Sequence, residues 1–428
     1  MADRTYLVVG SGGREHALAW KLSREADDAL VHVAPGNDGI AADETIRGEC
    51  VDIAVDDFEA LADFAEAQGV DLTVVGPEAP LCDGLADYFD ERGLAVFGPN
   101  ADAARLEGSK SFAKEIMTAA GVPTAEYADF DELDAALEYI TGRPHPIVIK
   151  ADGLAGGKGV VISEDVDTSR KTLEEYMAQD AFGEASQRVV IEEFLEGTEM
   201  SFIVVTDGEQ VVPLSTSQDH KRVGEGDTGP NTGGMGAFTP SHLADEAVRS
   251  QILDEVIEPT LSELASRGVE YRGFLYAGLM ITDQGPKVLE FNCRMGDPET
   301  QPLLFAMDED LGDALEKAAT GGLSGGESLE SSAHAFCIVL ASEGYPGPRN
   351  TGHVIEGLDA AAEVVDTKVF HAGTARDDDG NFINAGGRVL GVTSRGATRD
   401  EARARAYAAA SCIRWTGMFY RSDLGPRD

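Results

Sequence analysis

The sequence predicts a multidomain α/β protein. An open parallel sheet comes first, a compact α+β unit with antiparallel strands follows, and a small α+β domain closes the chain. Three observations predict this. The chain has 428 residues, too many for one ordinary core. Over the first hundred residues, short apolar runs alternate with helical stretches, and each run ends in a Gly or Pro turn: VVGSGG, VAPGNDG, VVGPEAP, VFGPN. From Met200 the pattern changes to strand pairs, the first joined by an Asp207-Gly208 turn.

The elements follow in order. Tyr6–Val9, Val31–Ala34, Leu72–Val75 and Ala95–Phe97 read as parallel strands, with helices such as Glu15–Arg24 and Phe58–Gln68 between them. In such a sheet, ligands sit at the carboxyl ends of the strands. A helical zone spans Ala101–Ala120. Strands Ala125–Ala128, Ile147–Lys150, Val160–Ile162 and Arg188–Glu192, with helices Glu132–Ile140 and Thr168–Ala178, form the α+β unit. Strands Met200–Thr206, Gln210–Pro213, Phe274–Ile281 and Lys287–Asn292 flank a polar, glycine-rich loop, Gln218–Met235, and a helix, Glu246–Arg267. Gly321–Gly326 reads as a linker. The implied units are 1–101, 102–121 plus 193–325, 122–192, and 326–428.

Composition excludes several function classes. No apolar run approaches the roughly 18 residues of a membrane helix. The N-terminal apolar run is too short for a signal peptide. The net charge of −43 repels nucleic acid and anionic membranes. The acidic residues are dispersed, as in Asp56-Asp57-Phe58-Glu59, which points to a hydrated surface: plain solubility, or a salt-loving host. The five cysteines form no CxxC, which fits a reducing cytoplasm and excludes a zinc site of that type. No HExxH occurs, so any metal should be a hard ion held by oxygen. We expect a cytoplasmic protein, a monomer or weak dimer, acting on small molecules.

VIKADGLAGGKGV, Val148–Val160, is the first stretch that carries chemistry. A P-loop reads G-x-x-x-x-G-K-[ST]. Aligned on Lys158, its first glycine would be Asp152 and its hydroxyl residue Gly159, so the motif fails. The stretch lies between two strands, where Gly153, Gly156 and Gly157 let backbone N–H groups approach phosphate, with Lys150 and Lys158 beside them. A plain hairpin turn is the competing reading. In IEEFLEGTE, a strand ends in Glu192 and Glu193 and runs on to Leu195 and Glu199. It can line an adenine slot, with Leu195 stacking and Glu199 on ribose hydroxyls, although acidic strand ends are common. In KVLEFNCRMGDPE, Glu290 and Asn292 are two apart on a strand and share a face. Followed by Arg294, they suit Mg²⁺ beside a phosphoryl group, with Leu289, Phe291 and Cys293 on the apolar side. His220-Lys221-Arg222 is a rare basic cluster for an anionic substrate, or part of a solvated loop. Gly10-Ser-Gly-Gly-Arg-Glu-His16 matches GxGxxG only in part, since Glu15 stands at the third glycine, and Arg14 with the helix N-terminus can hold a phosphate instead.

Lys110, Lys150 with its glycine flap, EEFLEGTE, and Glu290–Asn292–Arg294 resemble the ATP-grasp superfamily in order and spacing. GSGGREHALAW, VAPGNDG, VGPEAPL, LEGSK, SQDHKRVGEGDTGPNTGGMGAF, GFLYAGLM, EFNCRMGDPETQP, KVFHAGT and GGRVLGVT resemble the phosphoribosylamine–glycine ligase family along nearly the whole chain. The resemblance implies a Rossmann-like N-terminal sheet, a central ATP-grasp fold with a flap, and a C-terminal α+β domain. It implies ligation of glycine to 5-phosphoribosylamine through glycyl phosphate, with ATP as co-substrate and Mg²⁺ or Mn²⁺. By the same resemblance, Lys110, Lys150, Gly153, Gly156, Gly157, Lys158, Glu192, Glu193, Leu195 and Glu199 bind ATP, and Glu290 and Asn292 hold metal. Gly12, Gly13, Arg14, Glu78, Asp219, Lys221 and Arg294 bind the other substrates, and Arg294, Lys150 and Asp297 are catalytic. One departure concerns the acidic metal ligand that many ATP-grasp enzymes carry about twelve residues upstream. Here Tyr276–Leu279 holds no carboxylate, which leaves the number of metal ions open. The alternatives are another ATP-grasp ligase or carboxylase, an NAD-dependent dehydrogenase, and a catalytically silent nucleotide-binding module.

Overall fold

The computed structural model describes residues 4–25, 29–156, 159–179, 181–326, 328–331 and 333–425. Strands β1 (Thr5–Gly10), β2 (Leu30–Pro35), β3 (Leu72–Val75) and β4 (Val96–Phe97) form a parallel sheet in the order β2-β1-β3-β4. β1 is buried at every position because the sheet is covered on both faces. Helix Gly13–Leu22 is also buried throughout, packed between its own sheet and helix Thr300–Ala306. The strand ends and their Gly turns therefore open toward the middle of the chain.

The expected helical zone is two helices, Ala101–Gly108 and Lys110–Ala120. Ser109 breaks it by adopting an extended backbone and accepting the Phe112 N–H on its hydroxyl, a standard N-cap. Strands β5 (Tyr127–Phe130), β6 (Ile147–Ala151), β7 (Val160–Ser163) and β8 (Val189–Glu193) form an antiparallel sheet, β5-β8-β6-β7. Its own small core includes Ile140, Ile149, Leu173 and Ile191.

A second antiparallel sheet carries β9 (Thr198–Thr206) and β10 (Val211–Pro213). The glycine-rich loop then contains three short strands, β11 (Gln218–Asp219), β12 (Arg222–Gly224) and β13 (Thr228–Asn231), so it is more ordered than its composition predicts. β14 (Gly236–Thr239) follows, and β15 (Gly273–Thr282) and β16 (Gly285–Asn292) complete the second sheet as β10-β9-β15-β16. The closing sheet adds β17 (His334–Ala341), β18 (Thr367–His371), the hairpin β19 (Thr374–Arg376) with β20 (Phe382–Asn384), and β21 (Arg388–Gly396). Its order is β11-β14-β17-β21-β18, so two strands from the middle of the chain cross the expected break near residue 326.

One expectation about faces is corrected. Gly278 pairs with Glu290 but Leu279 pairs with Val288, so Leu289 is bulged out of register. Val288, Phe291 and Cys293 pack into the main core, while Leu289 turns to the opposite side. The strict alternation that put Leu289 with Phe291 and Cys293 fails there. Among the described residues, no helix is long and apolar enough to cross a membrane.

Candidate active site

A cleft of about 1160 Å³ runs between the N-terminal sheet, the β5–β8 unit and β16. One end is an apolar slot. Leu195 and Met280 cluster with Ala125, and the bulge adds Leu289 to them. Lys150 Nζ donates to the Leu289 carbonyl at 2.9 Å, tying the β6 sheet to β16. Lys150 also lies 3.0 Å from Glu192 Oε1, and Lys114 approaches the same oxygen at 3.2 Å. A carboxylate buried to this extent needs such partners. Lys110 Nζ donates to the Gly153 carbonyl at 3.1 Å.

The glycine stretch joins β6 to β7 and opens no helix, unlike a P-loop, and Asp152 within it serves a helix from earlier in the chain. Its carboxylate accepts from Ser111 N at 2.6 Å and from the Ser111 hydroxyl at 2.9 Å. It thereby occupies the N-terminus of helix Lys110–Ala120, the position a phosphate would otherwise take. Gly153 passes so close to Ala185 that a Cβ there would lie 2.6 Å from its methyl, and Gly156 has φ +56°. Gly157 and Lys158 lie outside the described residues.

Beyond the slot the cleft becomes charged. Burial works to raise the Glu290 carboxyl, but Lys221, Lys150, Lys110 and Arg294 together hold it below the usual range. Arg294 Nη2 binds Glu107 Oε1 at 2.6 Å and its Nε binds Glu78 Oε2 at 3.2 Å. Asn292 is satisfied with its amide nitrogen donating to Glu107 Oε1 at 2.9 Å, which turns its oxygen away from that carboxylate. Opposite Glu290 stands Gly278, where a Cβ would approach Glu290 Cγ to 3.2 Å.

The far end is built by the polar loop. Lys221 Nζ lies 2.9 Å from Glu199, 3.8 Å from Asp219 and 3.9 Å from Glu290. Burial pushes Asp219 up to about 8 against the pull of Lys221. Glu299 is buried and accepts from Ser201 at 3.0 Å and Tyr276 at 2.9 Å. It lies close enough to Asp219 to help raise it. Asp297 accepts from Gln301 at 2.9 Å and pairs with Arg388 at 3.2 Å.

Most residues singled out from sequence line this one cleft, from Arg14 and Glu78 through Lys110 and Glu193 to Asp297. Gly12, Gly13 and Gly153 do not line it. The Glu15 carboxylate bonds Gly12 N at 2.6 Å and Arg14 Nε at 2.5 Å, and presses on Gly10 and Gly76. The residue that breaks the dinucleotide fingerprint thus fills the helix N-terminus itself. Lys114, Glu107, Glu299 and Arg388 were missed. Lys114 had a signal, since it stands four residues after Lys110 on the same helical face. Glu299 and Arg388 reach the cleft only through tertiary packing.

Comparison with known proteins decides the family. Three domain descriptions of phosphoribosylglycinamide synthetase match: the N domain over residues 4–107, the ATP-grasp (A) domain over 108–300 and the C domain over 335–427. The chain belongs to the phosphoribosylglycinamide synthetase family. It is an ATP-grasp ligase. A phosphoribosylamine–glycine ligase from Pseudomonas aeruginosa is 51% identical over 98% of this chain and 97% of its own. The one from Escherichia coli K12 is 50% identical over 98% of each. The crystal structure of the Thermotoga maritima phosphoribosylamine–glycine ligase superposes with a TM-score of 0.83 at 34% identity, covering 98% of this chain and 100% of that one. The biotin carboxylase domain of the Hydrogenobacter thermophilus 2-oxoglutarate carboxylase shares the fold, with a TM-score of 0.73 at 18% identity over 97% of this chain and 91% of that one. The charged middle of the cleft lies between the apolar slot and the loop Gln218–Met235.

Proposed function

We propose that the chain joins glycine to 5-phosphoribosylamine with ATP, releasing ADP and phosphate, and that its cleft is ordered by reaction step. The observation that carries this is the Glu290 cluster: one ionised carboxylate faced by three lysines and an arginine, between an apolar slot and a polar acceptor pocket. Phosphoryl transfer needs charge neutralisation and positioning more than a dedicated acid or base.

In this reading Leu195, Met280 and Leu289 hold adenine, with Glu192, Glu193 and Glu199 around the base and ribose. Lys110 and Lys150 hold phosphates. The glycine carboxylate attacks the γ-phosphate to form glycyl phosphate, and Arg294 neutralises the charge that develops on it. The amine nitrogen of phosphoribosylamine then displaces phosphate. Asp219, Lys221, Glu78 and Arg14 contact the two small substrates, and Asp297 is held by Arg388 against the same space. The β6–β7 flap shields the acyl phosphate from water.

Glu290 and the Asn292 oxygen are hard donors on one strand face, and Gly278 opposite leaves the room a side chain would fill. That set fits Mg²⁺ or Mn²⁺, which usually takes one or two protein oxygens and completes its shell with phosphates and water. Among the described residues no three His, Cys, Asp or Glu form a ready cage, which agrees with a metal arriving with ATP. When bound, the metal would neutralise phosphate charge. The acidic group missing from Tyr276–Leu279 has neighbours that can replace it, Glu299 and Asp219. We place the enzyme in the cytoplasm of a cell with a salt-rich interior, on its charge of −43.

The test is ADP release with Mg-ATP, with and without glycine and freshly generated phosphoribosylamine. Turnover that requires both, with glycinamide ribonucleotide as product, supports the reading. ATP turnover indifferent to the amine would send the acceptor assignment elsewhere.

A further inference from the structure

Arg421 is among the largest fully buried side chains of the molecule and does not itself line the cleft, although Gly425, four residues on, does. Its fork is nearly used up. Nε and Nη2 bind the two Asp423 oxygens at 2.8 Å each. Nη1 binds Asp227 Oδ1 at 2.7 Å and the Arg222 carbonyl at 2.9 Å. Asp423 in turn accepts from Gly226 N at 2.8 Å, and Gly425 N donates to His220 Nε2 at 3.1 Å. Segment Arg421–Gly425 therefore stitches down the loop that carries β12 and β13, from its tip to its cleft-facing base.

The segment has a firm anchor. Leu424 is buried in the closing domain's core. Arg403 Nε donates to the Leu424 carbonyl at 2.6 Å, and Tyr407 OH donates to the Arg421 carbonyl at 2.9 Å, both from helix Arg399–Ala410. Of its own the loop has the short β12–β13 pairing and exposed hydrogen bonds such as Arg222 Nη1 to the Gly229 carbonyl at 2.7 Å. Residues Glu225–Pro230 are exposed, Gly226 and Gly229 have positive φ, and Asp227 takes φ +53° without being glycine. Such a loop has few buried apolar contacts to hold it, so ordering it falls to hydrogen bonds.

We infer that Arg421 is a positioning residue for the ligase reaction: by clasping Asp227, Arg222 and Asp423 it fixes the loop that presents Asp219 and Lys221 to the glycine and phosphoribosylamine end of the cleft. This rests on the acceptor reading given above for Asp219 and Lys221. The fork geometry matters, because a lysine cannot bridge two carboxylates and a carbonyl in one plane.

The experiment compares full-length Arg421→Met, Arg421→Lys and Lys221→Met with the parent chain, by hydrogen exchange and steady-state kinetics. Circular dichroism first checks that each variant is folded. In both Arg421 variants the amides of 222–231, Gly226 among them, exchange faster, while those of β6 and β8 do not change. KM for glycine and phosphoribosylamine rises about ten-fold or more, since small misplacements carry penalties of that order, while KM for ATP rises several-fold less, through the Lys221–Glu199 pair alone. Unchanged exchange at 222–231, equal losses for ATP and acceptors, or full rescue by lysine overturns the clasp. If Lys221→Met raises the acceptor KM and Arg421→Met does not, the clasp fails and the acceptor reading stands. If neither variant raises it, the acceptor reading itself is wrong, and the clasp falls with it.

Discussion

Lys114→Met asks whether the helix lysine stabilises the fold or serves the nucleotide. Lys114 is 2% exposed, 3.2 Å from Glu192 and 2.7 Å from the Thr124 hydroxyl. Burial lowers it from the ordinary 10.5 to about 8, with Glu192 opposing the fall and Lys150 adding to it. At pH 7 the folded and unfolded chains both hold the proton, so the folded state bears the whole difference, about 3 kcal/mol. As pH rises from about 8 toward 10.5, the unfolded chain holds more protons than the folded one, so stability climbs and the burden fades. Methionine fills similar space without charge, and Glu192 keeps Lys150 at 3.0 Å. Thr124 loses a donor, at about 1 kcal/mol, but keeps its own bond to the Val288 carbonyl.

The expected result is therefore a central domain at least as stable as the parent at pH 7, with a gain of up to about 2 kcal/mol. Any gain shrinks to less than half by pH 9.5, where the parent has shed most of its burden. ATP binds more weakly, because one cation and the setting of Glu192 are gone. Urea unfolding at both pH values, read by proteolysis within residues 108–300, measures stability, and titration with ATP measures binding. A loss of more than about 2 kcal/mol at pH 7 would show that the pair is net stabilising and refute the burial argument. Unchanged ATP affinity would show that Lys114 does not serve the proposed nucleotide slot.

Glu290→Ala should keep the fold, because the residue faces the cleft, and lower kcat by about a hundred-fold or more in Mg²⁺; near-normal turnover in a steady-state assay would remove it from the metal site. Leu195→Ala should raise KM for ATP by about ten-fold with little change in kcat, since an apolar slot contact acts alike in ground and transition state, and a fall in kcat alone would contradict that placement. Molar KCl should raise the melting temperature, because the screening length falls from about 10 Å at 0.1 M to about 3 Å at 1 M and the charge of −43 repels itself less. Full stability in dilute buffer would dismiss the salt-loving reading.

Much was readable from local pattern. Apolar runs that end in Gly turns placed the parallel strands, because fully buried parallel strands must be apolar along their whole length. Glu290 and Asn292 followed from the two-residue period of a strand. Failure of the P-loop spacing at Asp152 was legible too, although only the structure showed that its carboxylate accepts from the start of the earlier helix Lys110–Ala120.

The rest depended on pairings between residues far apart in sequence. The Leu289 bulge arises from a register skip against β15, and no single strand encodes its partner's register. Glu299 enters the site through Ser201 and Tyr276, and Arg388 through Asp297 and the Gly233 carbonyl, contacts that span tens of residues or more. Lys114 was visible as a helical neighbour of Lys110, but its partner appeared only when Glu192 was found between it and Lys150. Sequence by itself determined the order of the elements and the kinds of groups at the site, because those follow from periodicity and side-chain chemistry. Tertiary structure decided which charges are buried together, because the cost of taking a charge out of water depends on neighbours that only folding supplies.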